Sequence, residues 1–311
     1  MRDGAASVMR GHAGLGKTRG ERSIPEARAH VWRRLMEEAR FQPATNWLRA
    51  IELPVLAASL PTQGRGLDVG CGDGALSMIL RELVAGRWSL IGIDLDPAEA
   101  SLAKALGVHE WVAVARADQI PLPDASLDFA FANSVLEHIP DLPAALAELA
   151  RCLKPSGLFL ATVPSPHFHE CLQGPGWMRR MTREEYLKEV DERLSHFHYW
   201  SPEHWGRELR AVGLEPEPIS WYLSRAQVQI WERWSNRTGG LMYRLGRRQC
   251  RPIEIQRALG LRRRLPRLLC PLGSLIARLV GPRAWCRNDD ASDLNGCLLV
   301  RARKAFTQTP C

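Results

Sequence analysis

The stretch that decides the fold is RGLDVGCGDG, which occupies Arg65–Gly74. An apolar segment ends at Asp68, and glycines then stand at the alternate positions Gly70, Gly72 and Gly74, before a helix-compatible run. Glycines allow a sharp turn and let a ligand lie against bare backbone. In a parallel sheet, such a strand-to-helix turn lies at the carboxyl edge, where ligands bind. The spacing G-x-G-x-G differs from the G-x-G-x-x-G of dinucleotide sites, and it favours a ligand without phosphates.

Strand and helix patterns alternate from this stretch onward, which predicts a doubly wound α/β sheet of seven strands. The predicted strands are Gly66–Val69, Trp88–Asp94, Trp111–Arg116, Leu127–Asn133, Gly157–Val163, Glu217–Tyr222 and Gly296–Arg303. The predicted helices between strands are Ala75–Ala85, Pro97–Leu106, Asp141–Leu153 and Ser201–Gly213. Two further helices, Pro25–Phe41 and Pro43–Leu60, are predicted before the first strand.

The order of these signals resembles that of the class I methyltransferases that use S-adenosylmethionine, in particular those of type 11. After LDVGCGDG come IGIDLDP, around the end of the second strand, and RADQIPLPDASLDFAFANSVLEHI, from the third strand through the fourth. The resemblance covers residues 44–222 and 296–303. It implies a Rossmann-like sheet in which parallel strands run in the order 3-2-1-4-5 and an antiparallel last strand lies between strands five and six.

The resemblance also implies S-adenosylmethionine as the cofactor and a set of residues that hold it. In the family, the glycines admit the methionine part of the cofactor, and an acid at the end of strand two accepts the ribose hydroxyls. A carboxylate suits that role because it only accepts hydrogen bonds and can take two donors at once. The cofactor-binding residues implied here are Asp68, Gly70, Gly72, Gly74, Asp94, Leu95, Asp118, Gln119, Asn133 and Ser134.

Histidines supply the candidate catalytic groups. His138 follows the fourth strand, and His167 and His198 lie within residues 164–200, where the family builds its lid and acceptor pocket. A neutral imidazole can take the proton from a hydroxyl acceptor, although packing under the lid is the alternative for each ring. No metal is expected, because Ser134 stands where metal-binding relatives carry a carboxylate and no acid lies at ligand spacing from the His-x-His pairs.

Composition excludes several other classes of protein. The chain has 311 residues, of which 45% are hydrophobic and 24% charged, as is typical of a globular protein. Eight cysteines occur without a C-x-x-C pair, which indicates reduced thiols and a cytoplasmic location. We find neither the apolar core of a signal peptide nor a run of about 18 apolar residues, so secretion and membrane-spanning helices are not expected.

Basic residues concentrate towards the carboxyl terminus. Between Leu241 and Phe306, 15 Lys and Arg residues outnumber 4 Asp and Glu residues, although the whole chain carries a net charge of only +8. Residues 223–293 are expected to form a helical, arginine-rich insertion before a final strand within residues 294–305. A basic amphipathic helix can lie in a membrane interface, so residues 241–287 are a candidate contact with an anionic membrane at its inner face. Packing on the core or on a second subunit is the alternative; nucleic acid is not expected, because exposed aromatics are not interleaved with the arginines.

The remaining expectations concern the amino terminus and the function. Residues 1–24 are expected to form a mobile tail, and their match to the P-loop pattern at Gly11–Thr18 lacks the strand and helix that the pattern needs. Residues 25–222 are expected to form a methyltransferase core. The favoured function is methyl transfer to a small-molecule or lipid-like acceptor, with oxygen favoured over nitrogen or carbon. The alternative is a non-catalytic module that binds S-adenosylmethionine and regulates a partner at a membrane surface.

Overall fold

The fold is given by a computed structural model that describes residues 23–37, 42–174, 181–245 and 294–306. Predictions for the amino-terminal tail and for most of the basic segment lie outside the described residues. The strands are β1 Gln63–Val69, β2 Arg87–Asp94, β3 Trp111–Val114, β4 Leu127–Asn133, β5 Leu153–Pro164, β6 Leu214–Pro216, β7 Ser220–Ser224 and β8 Asn295–Lys304. The helices are α1 Ile24–Glu37, α2 Pro43–Ala57, α3 Ala75–Val84, α4 Pro97–Leu106, α5 Leu142–Cys152, α6 Phe168–Cys171, α7 Arg183–Leu194, α8 Pro202–Ala211, α9 Arg225–Arg237 and α10 Gly239–Leu245, and a 3-10 helix spans Leu136–His138.

The sheet has the predicted topology. Its strand order is β3-β2-β1-β4-β5-β8-β6, and β7 also pairs with β8. Strands β1 to β5 are mutually parallel, whereas β8 runs antiparallel to β5 and to β6. The predicted Rossmann-like strand order, with the last strand between strands five and six, is therefore confirmed. Strands β1 and β4 lie side by side at the centre of the sheet.

The predicted sixth strand, Glu217–Tyr222, is wrong in its bounds. Two short strands, β6 and β7, replace it, and both pair with β8. Pro218 lies in the break between them, and a proline cannot donate to a strand ladder. The described part of the chain consequently has eight strands where seven were predicted.

Two layers of helices cover the sheet, as a doubly wound fold requires. Along β4, Phe129 and Phe131 belong to the core on one face, packed with α1, α2 and α3, whereas Ala130 and Ala132 belong to the core on the other face with α5 and α8. This alternation follows from the two-residue period of a strand. Small alanines of β4 therefore face one core and aromatic rings face the other.

The predicted acceptor region, residues 164–200, contributes α6 and α7 and is attached to α9. The buried Glu232 carboxylate of α9 accepts hydrogen bonds from the Tyr186 hydroxyl at 2.6 Å and from the backbone N–H groups of Gln173 and Gly174 at 2.7 and 3.0 Å. None of the described helices is long and apolar enough to cross a membrane. Helices α9 and α10 are the described beginning of the arginine-rich segment.

Candidate active site

The turn between β1 and α3 requires its glycines. Gly70, Gly72 and Gly74 have φ angles of 68°, 54° and 80°, a region that side chains rarely adopt. A Cβ atom on Gly70 would lie 2.6 Å from a methyl group of Val135. The Gly70 N–H also donates to the Ile93 carbonyl at 2.8 Å, which holds the turn against the end of β2. The turn thus exposes backbone at the carboxyl edge of the sheet.

Asp94 ends β2 beside this turn. Its Oδ2 accepts a hydrogen bond from the Gly72 N–H at 2.8 Å, and its Oδ1 accepts one from the Asp96 N–H at 2.8 Å. The next residue, Leu95, is 68% exposed, which is high for a leucine. Asp94 and Leu95 therefore present a carboxylate and an apolar side chain together at the carboxyl edge.

Asp68 lies beneath the turn. It is 3% exposed, and its Oδ2 accepts hydrogen bonds from the Ser77 hydroxyl and from His109 Nε2, the latter at 2.9 Å. The His109 side chain is itself fully buried. The resemblance implies that Asp68 binds the amino group of the cofactor. That contact stays a prediction, and in this structure one oxygen of the Asp68 carboxylate already has two donors.

Asp118 follows β3 and is held by an arginine. Arg116 donates to both oxygens of the Asp118 carboxylate, at 2.8 Å from Nε and 2.6 Å from Nη2. These hydrogen bonds keep the pKa of Asp118 below its usual value. The neighbouring Gln119 donates its backbone N–H to the Arg116 carbonyl at 3.2 Å. A ligand amino group at Asp118 would share the carboxylate with Arg116.

Asn133 and Ser134 end β4 and are tied to β5. Thr162 Oγ1 accepts from Asn133 Nδ2 at 2.8 Å and from the Ser134 N–H at 3.0 Å. Ser134 has a φ of 49°, so the chain bends sharply here although the residue is not glycine. The Asn133 side-chain oxygen is buried and has no hydrogen-bond partner among the described residues.

Ser134 also belongs to a largely buried group of polar side chains, the Glu52 cluster. The other members are Arg49, Glu52 and Tyr222. Glu52 Oε1 accepts from the hydroxyls of Ser134 at 2.6 Å and Tyr222 at 2.9 Å, and Arg49 donates to Glu52 and to Ser134. Burial by itself raises the pKa of Glu52, but the charge of Arg49 and the three donors outweigh it and lower that pKa. Sequence reasoning missed this cluster, because Glu52 is 82 and 170 residues from two of its partners.

A second group, the Glu137 cluster, brings together Glu137, His138 and His196. One ligand atom of each residue lies within 4.8 Å of the others, and these donor types can also hold a metal ion. His138 Nδ1 is 3.0 Å from the Ser195 carbonyl, and His196 Nδ1 is 3.0 Å from the Tyr199 hydroxyl. In the sequence no acidic residue lies close enough to His196 to share a metal ion with it. In the fold, Glu137, which follows the end of β4, comes next to His196.

Of the three candidate catalytic histidines, His138 joins the Glu137 cluster and the other two have other contacts. His167 Nδ1 lies 3.2 Å from the Glu170 carboxylate, and its ring is stacked on Trp221 with the centroids 5.7 Å apart. His198 Nε2 donates to the Ile139 carbonyl at 2.7 Å, which ties the acceptor region to the segment after β4. Because a carbonyl can only accept, that nitrogen of His198 carries a proton.

Comparison with curated relatives reveals similarity to methyltransferases. A malonyl-(acyl-carrier protein) O-methyltransferase from Serratia marcescens is 38% identical over 94 residues, which are 30% of this chain and 36% of that protein. A ubiquinone biosynthesis O-methyltransferase from Xanthomonas oryzae pv. oryzae is 31% identical over 199 residues, or 61% of this chain and 76% of that protein. The matched region covers 36% and 46% of the length of the first two curated relatives, so the chain spans only about a third to a half of each.

Solved structures share the fold. A methyltransferase from Thermotoga maritima that depends on S-adenosylmethionine superposes with a TM-score of 0.50 at 17% identity, covering 88% of this chain and 98% of that one. Residues 34–219 match the family described as "Methyltransferase domain". The resemblance inferred from the glycine turn and the strand ends is thus confirmed, with S-adenosylmethionine as the cofactor of the family. The chain belongs to the methyltransferase-domain family.

Proposed function

We propose that this protein transfers the methyl group of S-adenosylmethionine to a hydroxyl group on a small-molecule or lipid-like acceptor. The observation that carries the proposal is the convergence of the glycine turn, Asp94 and the Asn133–Ser134 strand end at one carboxyl edge. S-adenosylmethionine is already electrophilic. The protein therefore needs mainly to align the acceptor oxygen behind the methyl carbon and to exclude water.

The cofactor is assigned along this edge. The bare backbone of the glycine turn takes the methionine part, and Asp94 accepts the ribose hydroxyls. Leu95 and Asp118 flank the adenine, with Gln119 beside them. Asn133 and Ser134 lie beneath the sulfonium, where the unpartnered Asn133 oxygen is available to a ligand. Each assignment uses an exposed side chain or a polar atom whose location follows from the end of a strand.

Oxygen is favoured over nitrogen as the acceptor atom for two reasons. Two of the relatives are named as O-methyltransferases. A hydroxyl also needs a group that takes its proton, whereas an amine needs only to be neutral, and titratable groups lie next to the end of β4 in the Glu137 cluster. The non-catalytic alternative gives no reason for such groups beside the cofactor edge.

Transfer of a labelled methyl group tests the proposal. The full chain would be incubated with methyl-labelled S-adenosylmethionine and, in parallel, with lipid and soluble-metabolite extracts. We expect label in an alkali-stable methyl ether from one extract, and much less label with Asp94→Ala at a cofactor concentration that does not saturate the variant. If the protein binds the cofactor but labels neither extract, the non-catalytic module is the better account.

We further propose an anionic membrane surface as a partner of residues 241–287. The support is the excess of basic residues in this part of the sequence and the helical spacing of its apolar residues Leu261, Leu265, Leu268, Leu272, Leu275, Ile276 and Leu279. Such a partner favours a lipid-like acceptor, and it is also compatible with a soluble one.

A further inference from the structure

The carboxylate of Asp68 is buried without a lysine or arginine to balance its charge. Asp68 is the penultimate residue of β1 and is 3% exposed. Within the described part of the chain, the only basic side chain that pairs with it is the imidazole of His109. Buried charges in proteins are normally paired with an opposite charge. The charge of Asp68 therefore points to a cationic group supplied by a ligand, provided that His109 is itself neutral.

His109 meets Asp68 through one ring nitrogen. Its Nε2 lies 2.9 Å from Asp68 Oδ2, and because a carboxylate only accepts hydrogen bonds, that nitrogen carries a proton. The other nitrogen, Nδ1, is buried and has no hydrogen-bond partner among the described residues. A proton on Nδ1 would make a buried cationic donor without an acceptor, which is costlier than an unused lone pair. The imidazole is therefore neutral, and it donates to Asp68 without cancelling its charge.

Ser77 makes the second contact with the same oxygen. It lies in the first turn of α3, and its hydroxyl donates to Asp68 Oδ2. A hydroxyl is also an uncharged donor. Two neutral donors thus hold Oδ2, whereas Oδ1 accepts no hydrogen bond from any residue that the structure describes. This division fixes the rotation of the carboxylate and leaves Oδ1, together with the unbalanced charge, to a ligand.

Two glycines make room for the imidazole. Gly92 is the residue of β2 in register with Asp68. A Cβ atom on Gly92 would lie 3.0 Å from His109 Cδ2, and a glycine inside a strand often marks such a close approach. A Cβ atom on Gly74, the last glycine of the turn, would lie 3.3 Å from His109 Cε1. The ring therefore packs against both β2 and the turn to which the methionine part of the cofactor is assigned.

We propose that His109 is a positioning residue for the cofactor. With Ser77 it holds Oδ2 of Asp68, so that Oδ1 and the charge of the carboxylate are presented to the ammonium group of the methionine part. This inference rests on the proposed function, which assigns the methionine part to the glycine turn. A lysine or arginine in the place of His109 would supply a permanent cation and repel the ammonium group, whereas neutral donors orient the carboxylate and keep its charge for the ligand.

Binding of two cofactor analogues to the full chain tests this role. S-adenosylhomocysteine carries the ammonium group, and its desamino analogue has a hydrogen in place of the amino group. In titration calorimetry the wild type should bind S-adenosylhomocysteine at least about tenfold more tightly, because the analogue cannot donate to the charged carboxylate. His109→Met, a side chain of similar volume without a donor, should lower the affinity for S-adenosylhomocysteine about tenfold. Its affinity for the desamino analogue should equal that of the wild type.

Two variants serve as matched controls. His109→Gln keeps an N–H donor at the end of the side chain and should recover most of the affinity for S-adenosylhomocysteine. His204→Met makes the same exchange at the histidine of α8 that pairs with Glu208 at 3.5 Å, and it should bind both ligands as the wild type does. A loss of structure in His109→Met would weaken both ligands, because they share the adenosine and the carboxylate.

The outcomes separate this inference from the proposed function. If His109→Met kept the wild-type preference for S-adenosylhomocysteine over the desamino analogue, or lost both ligands equally, the role of His109 would be overturned and the proposed cofactor site would stand. A wild type that binds neither ligand would instead defeat the proposed function.

The protonation of His109 has a test that does not depend on how a variant folds. Nuclear magnetic resonance of the wild type with ¹⁵N-labelled histidine reports which ring nitrogen carries a proton. We expect a neutral His109 ring with its proton on Nε2 at neutral pH, both without ligand and with S-adenosylhomocysteine. A proton on Nδ1, alone or together with one on Nε2, would contradict the arrangement.

Discussion

At the scale of single residues, two buried glutamates, Glu52 and Glu137, lie beside the proposed methyl-transfer edge. Glu52 is fully buried and is kept ionised by Arg49 and by three hydrogen-bond donors. Glu137, three residues past Ser134, accepts no hydrogen bond from a described side chain, and burial raises its pKa to about 8. The two glutamates therefore have opposite pKa shifts at one edge of the sheet.

Replacement of Glu52 tests its structural task. Glu52→Gln leaves Arg49 without its buried partner, and loss of one member of a buried ion pair costs about 3–5 kcal/mol. Urea unfolding at neutral pH should show a loss of this order. The control is Glu208→Gln at the more exposed His204–Glu208 pair of α8. It should change the free energy of unfolding by no more than about 0.5 kcal/mol.

The same variant should alter the pH dependence of stability. Because the pKa of Glu52 is lower in the folded protein than in the unfolded chain, Glu52 stabilises the fold above its ordinary value of 4.5. That contribution disappears as the pH falls through the folded pKa. The wild type should therefore lose stability below pH 4.5 more steeply than Glu52→Gln. If the free energy of unfolding fell equally with pH in the two proteins, Glu52 could not be ionised in the folded state as assigned.

At the scale of secondary structure elements, the turn from β1 to α3 is the most constrained. Gly70→Ala places a methyl group against Val135 and in an unfavourable φ. The backbone strain costs about 1–2 kcal/mol, and the overpacking adds about 1–3 kcal/mol. Thermal unfolding should show the sum of the two costs, and calorimetry should show weaker binding of S-adenosylmethionine.

Two variants separate these contributions. Gly107→Ala has a similar φ of 73° but no atom within 4 Å of the added carbon, so it should show the strain alone. The double variant Gly70→Ala, Val135→Ala removes the clashing methyl groups and should recover the overpacking part. Equal losses for Gly70→Ala and Gly107→Ala would mean that the close approach of Val135 has no energetic weight.

Elements with a strong local pattern could be predicted from the sequence. The bounds of β4 agree with the prediction, Leu127–Asn133, because its apolar residues are followed at once by a polar pair. The start of α4 at Pro97 agrees with the prediction, and Ser201, which was predicted to begin α8, is its N-cap residue. The division of the sixth strand was missed, since the pairing of β6 and β7 with β8 is set by residues about 80 positions further along the chain.

The parts of the site that depend on contacts between residues close in the sequence could be predicted, and the parts that depend on distant residues could not. The strand ends that carry Asp94, Asn133 and Ser134 follow from the periodicity and the resemblance. The Glu52 cluster does not, because a glutamate in an amphipathic helix has no sequence signal that indicates a partner in β7. Glu137 was adjacent to a candidate histidine, but its pairing with His196 depends on how the segment after α7 folds back over the end of β4.

At the scale of the whole molecule, the distribution of charge leads to a prediction about membranes. Replacement of Arg262, Arg263, Arg264 and Arg267 with glutamine should weaken binding to vesicles that contain phosphatidylglycerol at least tenfold, since each basic residue near an anionic surface contributes about 1 kcal/mol. Binding of the wild type should fall as salt rises, and neutral phosphatidylcholine vesicles should bind far less. Sedimentation of the vesicles measures both, with affinity for S-adenosylmethionine as the control. No sedimentation with anionic vesicles at low salt would remove the membrane from the account.

The central claim is that the carboxyl edge of the sheet binds S-adenosylmethionine through Asp94, and titration calorimetry with the cofactor tests it most directly. Asp94→Ala removes a charged hydrogen-bond acceptor worth about 1.5–3 kcal/mol, so its affinity should fall at least about tenfold. Asp128→Ala is the matched control, because Asp128 accepts from Arg65 and Lys154 at the opposite end of the strands, and its affinity should equal that of the wild type. An unchanged affinity of Asp94→Ala would contradict the account.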